Sequence, residues 1–329
     1  MILDRALLAW PLVAATIVIF GTTAFVLLST GNGREDLPAV VACMLPIWRL
    51  LAVVTLLVSP FVLLNVTAEM ATVSWTRALP LVPEVLAQTH AGRVWEWFLP
   101  TALLLLLVAY IPIRQSIRAR MLFVLAGVLL FLRALLSHAI DKGRLAVAVY
   151  LLHEIAAGLW VGALMVLWIV ARRGNAPDIW IEGAARRVSK LAFWSVLAIM
   201  ISGIYTAYNG LGFDLYHLLF SAYGRTLIAK VAVFAAVLTI GGYNRYWLVP
   251  EVSDSTARDR LLRNVEVESL ILLFGVLGLA TLLANTPPAH GPGGHAGQSM
   301  MAMFIGQPRR RTYETGFEHI GKFRRTYKK

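Results

Sequence analysis

An all-α polytopic membrane protein, a bundle of eight transmembrane helices, is the fold class this sequence predicts. Three observations carry that expectation. Hydrophobic residues make up 58% of the 329 positions and charged residues only 15%, more apolar surface than a soluble core can use but well suited to a bilayer. Eight apolar stretches reach the roughly 17 to 25 residues that a spanning helix needs. The connections between them alternate in Lys/Arg content, as they do when every second loop faces the cytoplasm.

The elements follow in order. Span 1 is expected over 6–28; it is longer than the apolar core of a signal peptide and no convincing A-x-A site follows, so it reads as a retained span. Spans 2 and 3 are expected over 39–64 and 94–113. Between them runs a long connection from Thr67 to Arg93, and alternation over 79–89 predicts an amphipathic helix lying on the membrane or lidding a site. Spans 4 and 5, over 121–139 and 145–171, are joined by a connection too short to hold a domain. Spans 6, 7 and 8 are expected over 191–210, 226–248 and 265–284. Residues 1–285 thus form one spanning domain. Residues 286–329 form a tail, rich in Pro, Gly, His and Met and then basic.

Charge reports orientation here rather than a nucleic-acid partner. Of the net +12, half comes from residues 309–329, which hold eight Lys/Arg against Glu314 and Glu318. The loops after spans 1, 3, 5 and 7 carry twelve Lys/Arg; the opposite side, with none between Gly210 and Ala222, carries five apart from the basic tail. That tail opposes the assignment but begins more than 20 residues past the last span and so weighs little. The first set is expected in the cytoplasm with both termini outside. The single cysteine, Cys43, excludes a disulfide framework and a thiolate cage within the chain. Cys43 and Met44 are expected at the inner end of span 2, as an exit site or as inert packing. Trp residues at 95, 97, 160, 180 and 247 are expected mostly at span ends, as an aromatic belt.

Ionisable groups at membrane depth are costly and usually mark a pathway, a ligand site or a proton relay. All seven histidines fall on the outer side of the expected topology. His138 ends span 4 and His153 lies near the start of span 5, so both rings are placed to approach one ion, since consecutive antiparallel helices are neighbours. Imidazole and thioether suit copper, and thioether favours Cu(I). The competing reading is two interfacial histidines that cap helix ends. His90, returning toward span 3, is the candidate third ligand. In the tail, His290, His295, Met300, Met301 and Met303 are a mobile capture segment or simply a disordered terminus.

Within the spans, Arg133 and Glu154 are expected to form an ion pair, with orientation of an imidazole by Glu154 as the alternative. Arg49 is a further charge inside an apolar run. Lys230 is expected to snorkel outward or pair with an acid. Glu268 is expected to pair with Arg at a helix end, or to lie on an exit or proton path. Met165 and Met200 are either a thioether ladder below the histidines or core packing.

These residues resemble the CopD/PcoD family of bacterial copper-resistance membrane proteins. The resemblance runs from about Ser137 to Pro288. It rests on Ser137-His138-Ala139, on His153-x6-Trp160-x-Gly162, on Tyr223-Gly224-Arg225-x4-Lys230, on Asn244, on Glu268 and on Pro287-Pro288. Thr89-x2-Gly92-x2-Trp95 at the start of span 3 is similar as well. The resemblance implies a protein of the bacterial inner membrane that handles a copper ion, Cu+ or Cu2+, between periplasm and cytoplasm. It also implies a separate periplasmic carrier of the CopC type as partner, beside the surrounding membrane lipid. No nucleotide-binding motif is present, and transport rather than catalysis is expected. Two other readings stay open: a membrane haem protein or oxidoreductase with histidine axial ligands, and a non-transporting copper holder for cuproenzyme assembly.

Overall fold

The computed structural model describes residues 2–29, 37–173, 176–211 and 214–286. Eight helices among them are long and apolar enough to cross a membrane: span 1 (Ile2–Ser29), span 2 (Leu37–Ala71), span 3 (His90–Tyr110), span 4 (Gln115–Leu136), span 5 (Arg144–Arg173), span 6 (Asp178–Leu211), span 7 (Ala222–Leu248) and span 8 (Ser255–Ala284). The expected count and order stand. Two helices run well past their apolar stretches, span 6 beginning at Asp178 and span 8 at Ser255, because helix continues beyond hydrocarbon depth where polar side chains meet water. Short helices Trp75–Ala78 and Val82–Gln88 occupy the long connection between spans 2 and 3, where the amphipathic helix was expected.

Span 1 is the axis of the bundle. Of its apolar stretch 83% is buried inside the molecule, against 6% for span 7. It packs on spans 2, 4, 5 and 8. Its closest neighbour is span 5, where Gly158 and Gly162 meet Gly21: a methyl group added at Gly21 or Gly162 would run into the facing backbone. Small residues four apart let two backbones approach in a medium where helices gain nothing from excluding water. Threonine hydroxyls on span 1 fold back onto their own helix, Thr22 onto the Val18 carbonyl at 2.6 Å and Thr23 onto Ile19 at 2.6 Å. Thr22 Oγ1 also accepts the Trp48 indole N–H at 2.9 Å.

Spans 6 and 7 lie at the periphery and scarcely touch each other. Two π-helical segments interrupt the regular winding nearby, Asn244–Leu248 at the end of span 7 and Ile271–Val276 within span 8. Such wide turns recur at functional sites because they re-aim side chains.

Candidate functional site

The outer rim is built where span 4 stops. Leu136 ends the helix, two residues short of the position expected for His138. Ser137 takes an extended backbone and its hydroxyl bonds locally, donating to the Ala134 carbonyl at 2.7 Å and accepting the Ala139 amide at 3.3 Å. Serine offers the backbone this alternative to another helical turn. His138 therefore opens a 3-10 turn, His138–Lys142, and is exposed. Gly143, at φ +99°, then turns the chain into span 5, a conformation that side-chain-bearing residues rarely adopt. On the neighbouring helix His90 begins span 3, behind a Thr89 cap that accepts the Gly92 amide at 2.8 Å. The His90 Nε2–H points to the Leu135 carbonyl at 3.4 Å. The structure thus brings His90 to the end of span 4, three residues before His138.

His153 lies nine residues into span 5, about 13 Å below its start. Its sequence neighbour Glu154 faces span 4 and forms the expected ion pair: Arg133 Nη2 is 2.7 Å from Glu154 Oε1, and Arg133 Nη1 donates to Thr16 Oγ1 at 3.2 Å. Successive side chains stand about 100° apart on a helix, so His153 faces span 6 instead, with Nδ1 2.9 Å from Ser202 Oγ. Ser202 spends its own proton on the Ala198 carbonyl at 2.6 Å. Its oxygen therefore accepts from His153 Nδ1–H, which leaves the lone pair of the neutral ring on Nε2. Fixing one ring nitrogen in this way is how proteins orient an imidazole toward a metal. Lys230, on span 7, has no acidic partner among the described residues. His153 is held by Ser202 nine residues into span 5, whereas His138 is exposed at the rim. Among the described residues no three of His, Cys, Asp or Glu converge as a metal cage.

Two turns further along the same face of span 5 stands Trp160. Its indole N–H donates to Glu268 Oε1 at 3.1 Å, and Asn244 Nδ2 donates to Glu268 Oε2 at 3.1 Å. Asn264 Nδ2 in turn donates to Asn244 Oδ1 at 2.8 Å. Glu268 and Trp160 are each 2% exposed. The expected Arg partner of Glu268 is not what the structure holds: the carboxyl is met by two neutral donors, because the turn that carries it faces spans 5 and 7 rather than a basic helix end. Gly241 makes room for it, since a methyl group there would lie 3.2 Å from Oε1. Asn244 opens one π-helical segment and Glu268 lies just before the other. A cavity of about 180 Å³ adjoins the cluster between spans 5, 6, 7 and 8.

The remaining candidates fall as follows. Met165 is half-buried in the core, whereas Met200 is 49% exposed on the outside of span 6, so the two do not form a ladder. Cys43 is half-buried with Sγ 4.0 Å from the Ile169 carbonyl, and Met44 is fully buried. Trp95, Trp160 and Trp180 are buried against the bundle rather than facing outward as a belt, while Trp97 and Trp247 are exposed. Arg49 donates to the Ala109 carbonyl at 3.1 Å. His217 pairs with Asp214 at 2.7 Å at the start of a short helix between spans 6 and 7. His290, His295, Met300, Met301, Met303, His319 and Pro287-Pro288 lie outside the described residues. Sequence reasoning passed over Ser202, Asn264 and Gly241, which only spatial neighbours identify. It also passed over Gly158-x3-Gly162, a small-residue motif that was readable.

Comparison with known proteins bears on this arrangement. A family model described as Copper resistance protein D matches residues 182–283, and one described as Copper resistance protein D-like, N-terminal domain, matches residues 5–147. Ser202, Lys230, Asn244 and Glu268 lie in the first stretch and His90, Arg133 and His138 in the second; His153 and Trp160 fall between them. The inner membrane protein YebZ of Escherichia coli strain K12 is 28% identical over 63% of this chain and 72% of its own length. Copper resistance protein D of Pseudomonas syringae pv. tomato is 25% identical over 82% of this chain and 92% of its own. No solved structure matches.

Proposed function

Because the chain belongs to the copper resistance protein D family, we propose that it resides in the bacterial inner membrane, binds copper on the periplasmic side and moves it toward the cytoplasm. The observation that supports this most is the single face of span 5 on which His153 and Trp160 stand two turns apart, the first tied to Ser202 and the second to Glu268. Copper is the cargo. His90 and His138 form the outer catch, supplied by a periplasmic CopC-type carrier and by the Met/His tail. His153 receives the ion at Nε2, since imidazole suits copper in either oxidation state. Glu268 lies about 24 Å below the start of span 5, judged from its partner Trp160, and offers the next negative charge on the way in. Both termini are periplasmic, and the Lys/Arg-rich loops are cytoplasmic. No chemical conversion is assigned; passage is passive, ion-coupled or drawn by a sink.

The test is copper analysis of purified protein beside His153→Ala and the His90→Ala/His138→Ala double variant, together with copper uptake into proteoliposomes. His153→Ala is expected to lose both bound copper and flux, the rim double variant to slow loading. Copper retained at wild-type content in His153→Ala removes that residue from the path, and binding without flux in the wild type favours a copper holder. Ligation by neutral imidazole weakens as protons compete, so binding is expected to fall below about pH 6; binding unchanged at about pH 5 counts against histidine ligation.

A further inference from the structure

The gap between spans 6 and 7 opens sideways, and its mouth differs in chemistry from its interior. Inside, Leu164, Val188, Ala192, Val196 and Leu238 line the cavity next to Glu268. At the mouth stand Arg186, Lys190 and Arg245, with Phe193, Trp194 and Tyr246 beside them. Arg186 and Lys190 are four apart and share a face of span 6. Both are exposed, and neither has an acidic partner among the described residues. Arg245 is held in place from span 7: Nη1 donates to the Ser189 carbonyl at 2.7 Å and to Ser189 Oγ at 3.1 Å, and the guanidinium lies 4.8 Å from the Phe193 ring centre. Trp194 and Tyr246, 58% and 66% exposed, are amphipathic rings of the kind that settle at headgroup depth.

We propose that this cleft binds one anionic phospholipid from the leaflet on the Lys/Arg-rich side, its phosphate against Arg186, Lys190 and Arg245 and an acyl chain lying between spans 6 and 7. Basic pockets between transmembrane helices at this level recognise anionic headgroups. The apolar slot behind them takes the part of the ligand that a free phosphate lacks. A second copy of the chain fits poorly, because a two-fold contact would set each three-cation mouth against its twin. The bound lipid closes the lateral opening to the Asn244–Glu268 cluster. None of this depends on copper being the cargo.

The experiment uses the full chain in micelles containing equal phosphatidylglycerol and phosphatidylcholine, with retained lipid read by native mass spectrometry. The wild type is expected to keep one phosphatidylglycerol. Arg186→Gln/Lys190→Gln is expected to weaken retention roughly ten-fold or more, two cations being lost from the headgroup site. Ala192→Phe, which fills the chain slot and leaves every charge, is expected to lose the lipid as well. Circular dichroism on both variants, with unchanged melting, separates loss of lipid from loss of fold. Equal retention of the two lipids, unchanged retention in both variants, displacement by millimolar inorganic phosphate alone, or a lipid-free dimer would each overturn the proposal.

Discussion

At the scale of single residues, the buried polar groups of this bundle divide by what they hold. Glu268 is a carboxyl satisfied by two neutral donors, so its removal strands both. Glu268→Ala is expected to destabilise by about 1–3 kcal/mol for each donor left unpaired, visible as a lower melting temperature in detergent. Glu268→Gln keeps the shape and one acceptor; it is expected to melt nearer the wild type yet to lose copper flux, because the negative charge is gone. Equal flux in Glu268→Gln would take the carboxyl off the path. The Arg133–Glu154 pair behaves differently. Breaking it with Glu154→Ala leaves a cation in the bundle and is expected to cost about 3–5 kcal/mol, while Arg133→Met/Glu154→Leu recovers most of that. A double variant as unstable as the single one would show that the site needs charge rather than volume.

At the scale of elements, the contact between spans 1 and 5 is where sequence and packing constrain each other most tightly. Gly162→Val would drive a branched side chain into the Gly21 backbone and is expected to prevent assembly, read as loss of the monodisperse species on size exclusion. The same substitution at Gly183, which faces open space, is expected to be tolerated. Span 7 starts on a Ser221 cap whose hydroxyl accepts the Gly224 amide at 2.9 Å, and Ser221→Ala is expected to cost about 1 kcal/mol. The short helix Leu215–Phe220 begins on Asp214, whose carboxyl is held below the usual carboxylate range by the His217 backbone N–H, with the His217 ring and the Tyr216 amide adding to it. A depressed acid of this kind keeps its capping contribution above the ordinary carboxylate range and loses it only as pH falls through its own lowered range.

These elements also mark how far the sequence could be read. The eight spans were legible because each must present membrane-length apolar surface, and the Arg133–Glu154 pair was legible because two opposite charges at similar depth on consecutive helices have few other partners. The facing of His153 was not. A helix rotated by about 100° exchanges which of His153 and Glu154 looks at span 4, and that rotation is fixed by the close approach of Gly158 and Gly162 to span 1. Trp160 read as a belt residue on composition; its burial follows from spacing, since seven residues after His153 returns it to the same interior face.

At the scale of the whole molecule, a buried central helix and two exposed peripheral ones leave the polar clusters between spans 5, 6, 7 and 8, away from the axis. Orientation is testable directly. With Cys43 replaced by Ala, a cysteine introduced at Asp141 is expected to react with an impermeant maleimide in intact spheroplasts, and one at Ser253 only after permeabilisation. The reverse pattern would invert the direction assigned to copper.

The sequence alone determined that this chain crosses a membrane eight times and which of its loops are basic, because those properties follow from the length and charge of contiguous segments. Only the tertiary structure decided that His153 meets Ser202, and that Glu268 meets Trp160 and Asn244. Such meetings depend on helix rotation and on π-helical turns, which are set by packing between segments distant in the chain, 49 residues for His153 and Ser202 and 108 for Trp160 and Glu268.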